Sequence, residues 1–227
     1  MLQQDVIRTC LAINETGLNT GKSGNVSVRN DDGFLISASG VAYEAMQPSD
    51  VVQMDLDGGY VGPVLPSSEW RMHMDIFRAR PEAGAIVHTH SAHATAISCL
   101  REDVPAFHYM IGITGGASLR CAPYASFGTA DLSDVMLKAI EDRNACLLAN
   151  HGMICFAKTV DAALALAIEV ETLCKQYVLA RMLGDPVILE ASEMEEILMR
   201  FKSYGKSPAE LADDAPPAFL PPVRRDA

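Results

Sequence analysis

The run Ala85-Ile-Val-His-Thr-His90 constrains this chain more than any other segment. Its apolar start reads as a buried strand, and on a strand the side chains at i and i+2 leave the same face. His88 and His90 can therefore converge on one ion at about 2.0–2.1 Å each, the distance zinc requires. An isolated pair of this kind is equally compatible with two satisfied polar residues at a strand end. A third imidazole changes the balance: His151 sits in Asn150-His-Gly152, between the apolar strands 145–149 and 153–156. Glu69, at the start of a helix, supplies a fourth candidate. Three or four N and O ligands from separate segments favour a catalytic metal over a structural one, which would draw on cysteine. His73 lies one helical turn after Glu69, where it can support that ligand from behind, His93 follows the strand and His108 precedes Tyr109; these three are read as non-ligands.

The remaining pattern supplies a scaffold. Val6, Ile7, Cys10, Leu11 and Ile13 recur at three- and four-residue steps and predict an amphipathic helix over 3–17, stopped by Gly17. The period then drops to two, with Val26 and Val28 alternating with Asn25, Ser27 and Arg29, and Asn30-Asp-Asp-Gly33 turning into 34–36 as a hairpin. A second hairpin has 51–56 as its first arm, turns at Asp57-Gly-Gly59 and closes at 63–66. Ser68 is predicted to cap a helix through Trp70, Met72, Met74, Ile76 and Phe77, with Glu69 in its first turn and Pro81 as its stop. Further helices are predicted over 91–100, over 159–183 up to Gly184-Asp-Pro186, and from a capping box Ser192-Glu-Met-Glu195 to about Lys202. Interspersed helices and strands give an α/β or α+β class with one sheet covered by helices.

Length and charge exclude several alternatives. At 227 residues, and about 150 per domain, the chain encodes one large domain, read as 1–205. After Gly205 the Ser-Pro, Asp-Asp, Pro-Pro and Arg-Arg composition cannot pack a core and reads as a flexible tail over 206–227. Eighteen Lys+Arg against 29 Asp+Glu leave a charge of −11, the wrong sign for holding nucleic acid or anionic lipid. The six cysteines show no CxxC spacing, and four lie in apolar runs, which predicts reduced core thiols. Met-Leu-Gln-Gln-Asp carries no basic n-region, and no 18-residue apolar stretch occurs, so the expected location is cytoplasmic.

Small residues form a second constellation. Gly21-Lys-Ser-Gly-Asn25, Ser37-Ala-Ser-Gly40 and Ser67-Ser68 let backbone N–H groups and hydroxyls cradle a phosphate without a cationic cluster, although each alone is an ordinary turn. A P-loop is rejected, because Thr16 stands where its first Gly belongs and a strand follows rather than a helix.

Taken in order, SGNVSV, SASG, LPSSEW, HTH, HYM, APY-x-x-FGT and NHG resemble the class II (zinc-dependent) aldolase/adducin family over about residues 3–205. The resemblance implies an α/β fold: one three-layer domain whose central, mostly antiparallel sheet is covered by helices. It implies that His88, His90 and His151 hold Zn2+ (alternatively Mn2+ or Co2+), with Glu69 as fourth ligand in the resting enzyme and as acid/base once substrate displaces it. By the same resemblance, Gly24, Asn25, Ser39, Gly40, Ser67 and Ser68 grip the substrate phosphate. Tyr109 donates a proton to the aldehyde oxygen from across a subunit boundary of a homotetramer, and Tyr204 approaches the site from the C-terminus. Relatives commonly carry Thr where this chain has Lys22. The implied reaction is reversible cleavage of a ketose 1-phosphate, fuculose 1-phosphate or a 5-deoxy or 5-thio pentulose 1-phosphate, to dihydroxyacetone phosphate and a small aldehyde. The alternatives are 4-epimerases, which typically carry Asp in place of Glu69, decarboxylases and dehydratases of sugar phosphates, and a non-catalytic adducin-like module that has lost the metal ligands.

Overall fold

The computed structural model describes residues 2–202. In chain order its elements are α1 (Leu2–Glu15), β1 (Asn25–Asn30), β2 (Gly33–Ser37), β3 (Val51–Met54), β4 (Tyr60–Val61), α2 (Trp70–Ala79), β5 (Ala85–Thr89), α3 (Ala92–Leu100), β6 (Val104–Pro105), β7 (Ser118–Leu119), β8 (Cys121–Ala122), α4 (Ala130–Ala139), β9 (Ala145–Leu148), β10 (Gly152–Ala157), α5 (Val160–Leu183) and α6 (Ala191–Phe201). Eight strands form one sheet in the order β4-β3-β2-β1-β5-β10-β9-β8. Neighbours are antiparallel except at one edge, where β8 and β9 run parallel because α4 carries the chain between them.

Both faces of this sheet are covered. Val26, Val28, Val87 and Cys155 pack with the apolar sides of α1, α3 and α5. Phe34, Ile36, Ile86 and Ile154 pack with those of α2 and α4. The expected three-layer, mostly antiparallel α/β architecture is therefore the observed one, with open edges and no barrel closure. The alternation in β1 does not mark a wet face, since Asn25 and Ser27 are as buried as Val26. Cys10, Cys146, Cys155 and Cys174 are buried, free thiols in the core, whereas Cys99 is exposed. Among the described residues no helix is long and apolar enough to cross a membrane.

Two predicted helix starts shift. Ser68 does not cap α2: Glu69 occupies the N-cap position without a side-chain cap bond, because its carboxylate is drawn toward His88 and His151. Nor is Ser192 the cap of α6: the N-cap is Glu190, two residues earlier, and the helix begins at Ala191. Thr159 does cap α5, accepting from the Ala162 N–H at 3.2 Å. Between residues 101 and 144 periodicity anticipates nothing, and the structure places β6, β7, β8, α4 and a 3-10 helix over Tyr109–Thr114 there. The predicted tail at 206–227, and Tyr204, lie outside the described residues.

The sheet's centre brings the histidine segments together. In β5, His88 pairs with Asn25 of β1 on one side and Ile154 of β10 on the other. The start of β10 presses closely on the end of β5: a Cβ at Gly152 would lie 2.4 Å from the Thr89 carbonyl and 2.9 Å from the His90 ring. Gly152→Ala is expected to cost about 1–3 kcal/mol of stability, as overpacking typically does. Urea unfolding checks this, and an unchanged midpoint would mean that the strand end yields freely.

Candidate metal centre

Each candidate ligand reaches the centre from a different kind of element. His88 is fully buried in β5. Its Nδ1 lies 2.8 Å from the Met153 carbonyl of the neighbouring strand, so Nδ1 carries the hydrogen and Nε2 is left free to bind. His90 follows one residue beyond that strand. His151 sits in the tight β9–β10 turn, where Asn150 adopts a left-handed φ of 54°, a conformation Asn tolerates better than most residues. Glu69 enters from the head of α2 at 5% exposure, its N–H donated to Ser67 Oγ at 3.3 Å.

The donor atoms converge. His88 Nε2 lies 3.0 Å from His90 Nε2 and 3.1 Å from Glu69 Oε2, while His151 Nε2 lies 2.9 Å from Glu69 Oε1. One atom from each residue falls within 4.8 Å of the other three. Buried Glu69 Oε1 makes no hydrogen bond, so its approach to His151 is one of charge and proximity without donor geometry. A carboxylate oxygen and three imidazole nitrogens facing one another are repulsive unless a cation or a proton stands between them. This N3O set suits a divalent ion such as zinc.

Protonation tendencies point the same way. Burial opposes ionisation of Glu69, yet the His88 and His151 imidazoles hold its carboxyl well below the usual carboxylate range. Burial pushes His88 down, but the Glu69 carboxylate outweighs it and raises His88 overall. His90 is lowered to about 4 by burial and by its two imidazole neighbours, which leaves it a neutral ligand at pH 7.

The other histidines are engaged elsewhere. His93 Nδ1 lies 2.7 Å from Glu171, whose carboxylate also accepts the N–H groups of His93 and Ala94 at the head of α3. His108 accepts from the Met110 N–H at 3.3 Å and caps the 3-10 helix over Tyr109–Thr114. His73 is fully buried between Ser27 and Asn25, and burial lowers it to about 3.

A cleft of about 370 Å³ opens beside Glu69, His90 and His151. Gly24, Asn25, Ser39, Gly40, Ser67 and Ser68 all line it, gathered from the approach to β1, the loop after β2 and the approach to α2. The latter two loops are stitched by Ser39 N to Leu65 O and Ser67 N to Ser37 O, both 3.0 Å. Gly24 is required there, since a Cβ would lie 2.8 Å from the His88 carbonyl. The resemblance puts Asn25 on the phosphate, but its buried carboxamide is engaged at both ends, Nδ2 donating to Glu69 at 2.9 Å and Oδ1 lying 2.5 Å from His73 Nε2. Lys22 is the one Lys or Arg among the lining residues, its Nζ donating to the Gly40 carbonyl at 2.7 Å. Tyr124, Phe127 and Asn150 also line the cleft without having been singled out from the sequence. The only sequence signal for them was membership of the APY-x-x-FGT and NHG motifs. Tyr109 is absent from this cleft within one chain; it opens the 3-10 helix and is 50% exposed.

A family described as Class II Aldolase and Adducin N-terminal domain matches residues 4–178. The chain belongs to this family. It is 48% identical over 204 residues to the 5-methylthioribulose-1-phosphate/5-deoxyribulose-1-phosphate aldolase of Rhodospirillum rubrum, covering 90% of this chain and 92% of that one. It is 45% identical over 205 residues to the L-fuculose phosphate aldolase of Escherichia coli K12, covering 90% and 95%. Among solved structures, an L-fuculose 1-phosphate aldolase superposes with a TM-score of 0.86 at 41% identity, covering 88% of this chain and 96% of that one. Class II aldolases use Zn2+, and Glu69, His88, His90 and His151 are the potential zinc site of this member.

Removing one of three imidazoles leaves too few ligands. Zinc content measured by elemental analysis should therefore collapse in His88→Ala and His151→Ala and stay near wild type in His93→Ala. Equal content in all three variants would refute the assignment.

Proposed function

We propose that this class II aldolase reversibly cleaves a ketose 1-phosphate to dihydroxyacetone phosphate and a small aldehyde. Fuculose 1-phosphate or a 5-deoxy or 5-thio pentulose 1-phosphate is the expected substrate. One observation carries the reading: Glu69 touches two of the imidazoles and at the same time borders the cleft of small residues. A phosphate seated on Gly24, Ser39, Gly40, Ser67 and Ser68 therefore brings the adjoining carbons to the metal centre and to a carboxylate. The named activities of the relatives support the same reaction class.

The phosphate cradle holds one end of the substrate through the Ser39, Ser67 and Ser68 hydroxyls and those backbone N–H groups not already bonded between the loops, so the bond to be broken is fixed in distance from Glu69. Bound zinc supplies a Lewis acid for the negative charge that develops at the C2 oxygen as the C3–C4 bond breaks. Tyr109 of a neighbouring subunit takes up the C4-hydroxyl proton as that oxygen becomes the aldehyde carbonyl, and returns it in the synthetic direction. Glu69, once released toward the cleft and protonated from solvent, delivers that proton to C3 of the three-carbon fragment, while Tyr109 passes the C4-hydroxyl proton back to solvent, so the cycle closes. The buried setting of Glu69 suits that exchange, since desolvation raises a carboxylate's proton affinity once the cation no longer neutralises it. No Schiff-base lysine is needed. The half-exposed position of Tyr109 fits a homotetramer with sites between subunits. In this reading Tyr204 also approaches the site, residues 1–205 form the catalytic domain with 206–227 as a tail, and the enzyme works in the cytoplasm on a small phosphorylated sugar.

The zinc-loaded protein should be incubated with ketose 1-phosphates, ketose 5-phosphates and sugar acid phosphates and the products identified by mass spectrometry. Dihydroxyacetone phosphate is expected from a ketose 1-phosphate. Glu69→Gln should stop deuterium exchange at C3 of dihydroxyacetone phosphate, because an amide cannot shuttle that proton. Release of carbon dioxide or water without any ketose phosphate cleavage would overturn the aldolase reading.

A further inference from the structure

Behind Glu69 runs a single connected chain of buried polar groups. Ser27 Oγ lies 2.6 Å from His73 Nδ1, His73 Nε2 lies 2.5 Å from Asn25 Oδ1, and Asn25 Nδ2 lies 2.9 Å from Glu69 Oε2. Ser27 and His73 are fully buried and Asn25 is 2% exposed.

The direction of every bond follows from the Glu69 end. A carboxylate that serves a cation offers only lone pairs, so the Asn25 atom facing it is the amide nitrogen. The amide oxygen then faces His73, whose Nε2 must carry the hydrogen. Nδ1 is left as an acceptor, and the Ser27 hydroxyl donates to it. A carboxamide has nearly the same shape after a half-turn, so sterics alone do not choose between its two orientations. The carboxylate selects one orientation and His73 as the Nε2–H tautomer reinforces it: turning Asn25 over would set its oxygen against the carboxylate and its nitrogen against that imidazole N–H, two unsatisfied contacts in a buried site.

We propose that His73 is a positioning residue for Glu69, which together with Ser27 locks the Asn25 carboxamide in the one orientation that holds the carboxylate toward His88 and His151. His73 itself touches neither ion nor substrate. The proposal rests on the metal reading above and extends it to a group one helical turn from the ligand.

Loss of a hydrogen bond made directly to a ligand typically costs about 10- to 100-fold in metal affinity, which sets the ceiling for His73, one bond further back. His73→Phe keeps the ring's bulk and removes both polar atoms, so zinc affinity should fall several-fold, up to that ceiling. His73→Gln retains an amide N–H near Nε2 and should recover most of the loss. Ser27→Ala should shift affinity in the same direction by less.

The test is zinc affinity of the full-length variants, by competition with a chromophoric chelator, together with side-chain 15N NMR of the wild type at pH 7. The expected signature is His73 as the Nε2–H tautomer. An Nδ1–H tautomer would overturn the proposal, as would a folded His73→Phe with wild-type affinity, or an equal loss in His73→Gln, which would mark a packing role only. Should His73→Phe not fold, the tautomer and Ser27→Ala decide, with unchanged affinity in Ser27→Ala counting against. A wild type that takes up no zinc would sink the metal reading, and the tautomer in the same sample would still decide the direction of the bonds.

Discussion

Everything near the cleft depends on burying one carboxylate among three imidazoles. Glu69 is removed from water at the head of α2, which by itself would disfavour its charge. It remains ionised because His88 and His151 stand against it and Asn25 donates to it. Conversely, the imidazoles are crowded until their nitrogens lie 3.0 Å apart, which only a proton or a cation between them makes acceptable. The cluster is therefore a place prepared for positive charge. Its geometry in turn requires α2, β5 and the β9–β10 turn to meet at one end of the sheet.

That meeting is organised by a match of repeats. Alternate residues of a strand advance by about 6.7 Å, and residues four apart on a helix by about 6.0 Å. A strand's i, i+2, i+4 positions can thus face a helix's j, j+4, j+8 positions rung for rung. Asn25 meets Glu69, Ser27 meets His73, and Arg29 meets Phe77, donating to its carbonyl at 2.6 Å with the guanidinium 4.7 Å over its ring. The opposite face of β1 is plain apolar core against α1. This strand is therefore amphipathic without being wet: its polar side is spent on one helix, and that helix presents Glu69.

This explains which parts were legible in the sequence. Period-two and helical patterns announced the first hairpin, α1 and α2, since apolar burial writes directly into spacing; the second hairpin's first arm and turn were also placed, but its return strand is Tyr60–Val61 rather than 63–66. The four ligands could be nominated because His88 and His90 share a strand face and because imidazoles are conspicuous in apolar runs. The antiparallel sheet was not readable from periodicity and came from the resemblance; nor did periodicity reveal α4, whose Leu132, Ser133 and Met136 stripe is short and interrupted by charge. The caps at Ser68 and Ser192 were misplaced because capping chemistry specifies a residue type and a neighbour, and Glu69 had a stronger demand on its carboxylate than a helix end. Most hidden was the role of His73. Its place one helical turn after Glu69 suggests a group supporting the ligand, but nothing local shows that Asn25 and Ser27, 48 and 46 residues away, would form its two partners.

The burial gradient across the cluster links the fold to the chemistry. His88 is fully enclosed, pinned by the Met153 carbonyl, and does not border the cleft. His90 and His151 are partly exposed and do border it, as does Glu69. An ion held by these four would therefore have a protein-filled back and one accessible side, the arrangement that separates catalytic from structural zinc. The accessible side faces the small residues of the cleft. In a chain of net charge −11, a phosphate seated there would depend on local dipoles and hydroxyls, with Lys22 the one Lys or Arg among the lining residues. Substrate charge and metal charge would thus be drawn to the same cleft by different devices: small residues and hydroxyls on one wall, the Glu69 carboxylate with His90 and His151 on the other, and His88 enclosed behind them. Glu69 lies where the two walls join, which is why its orientation has to be held from behind.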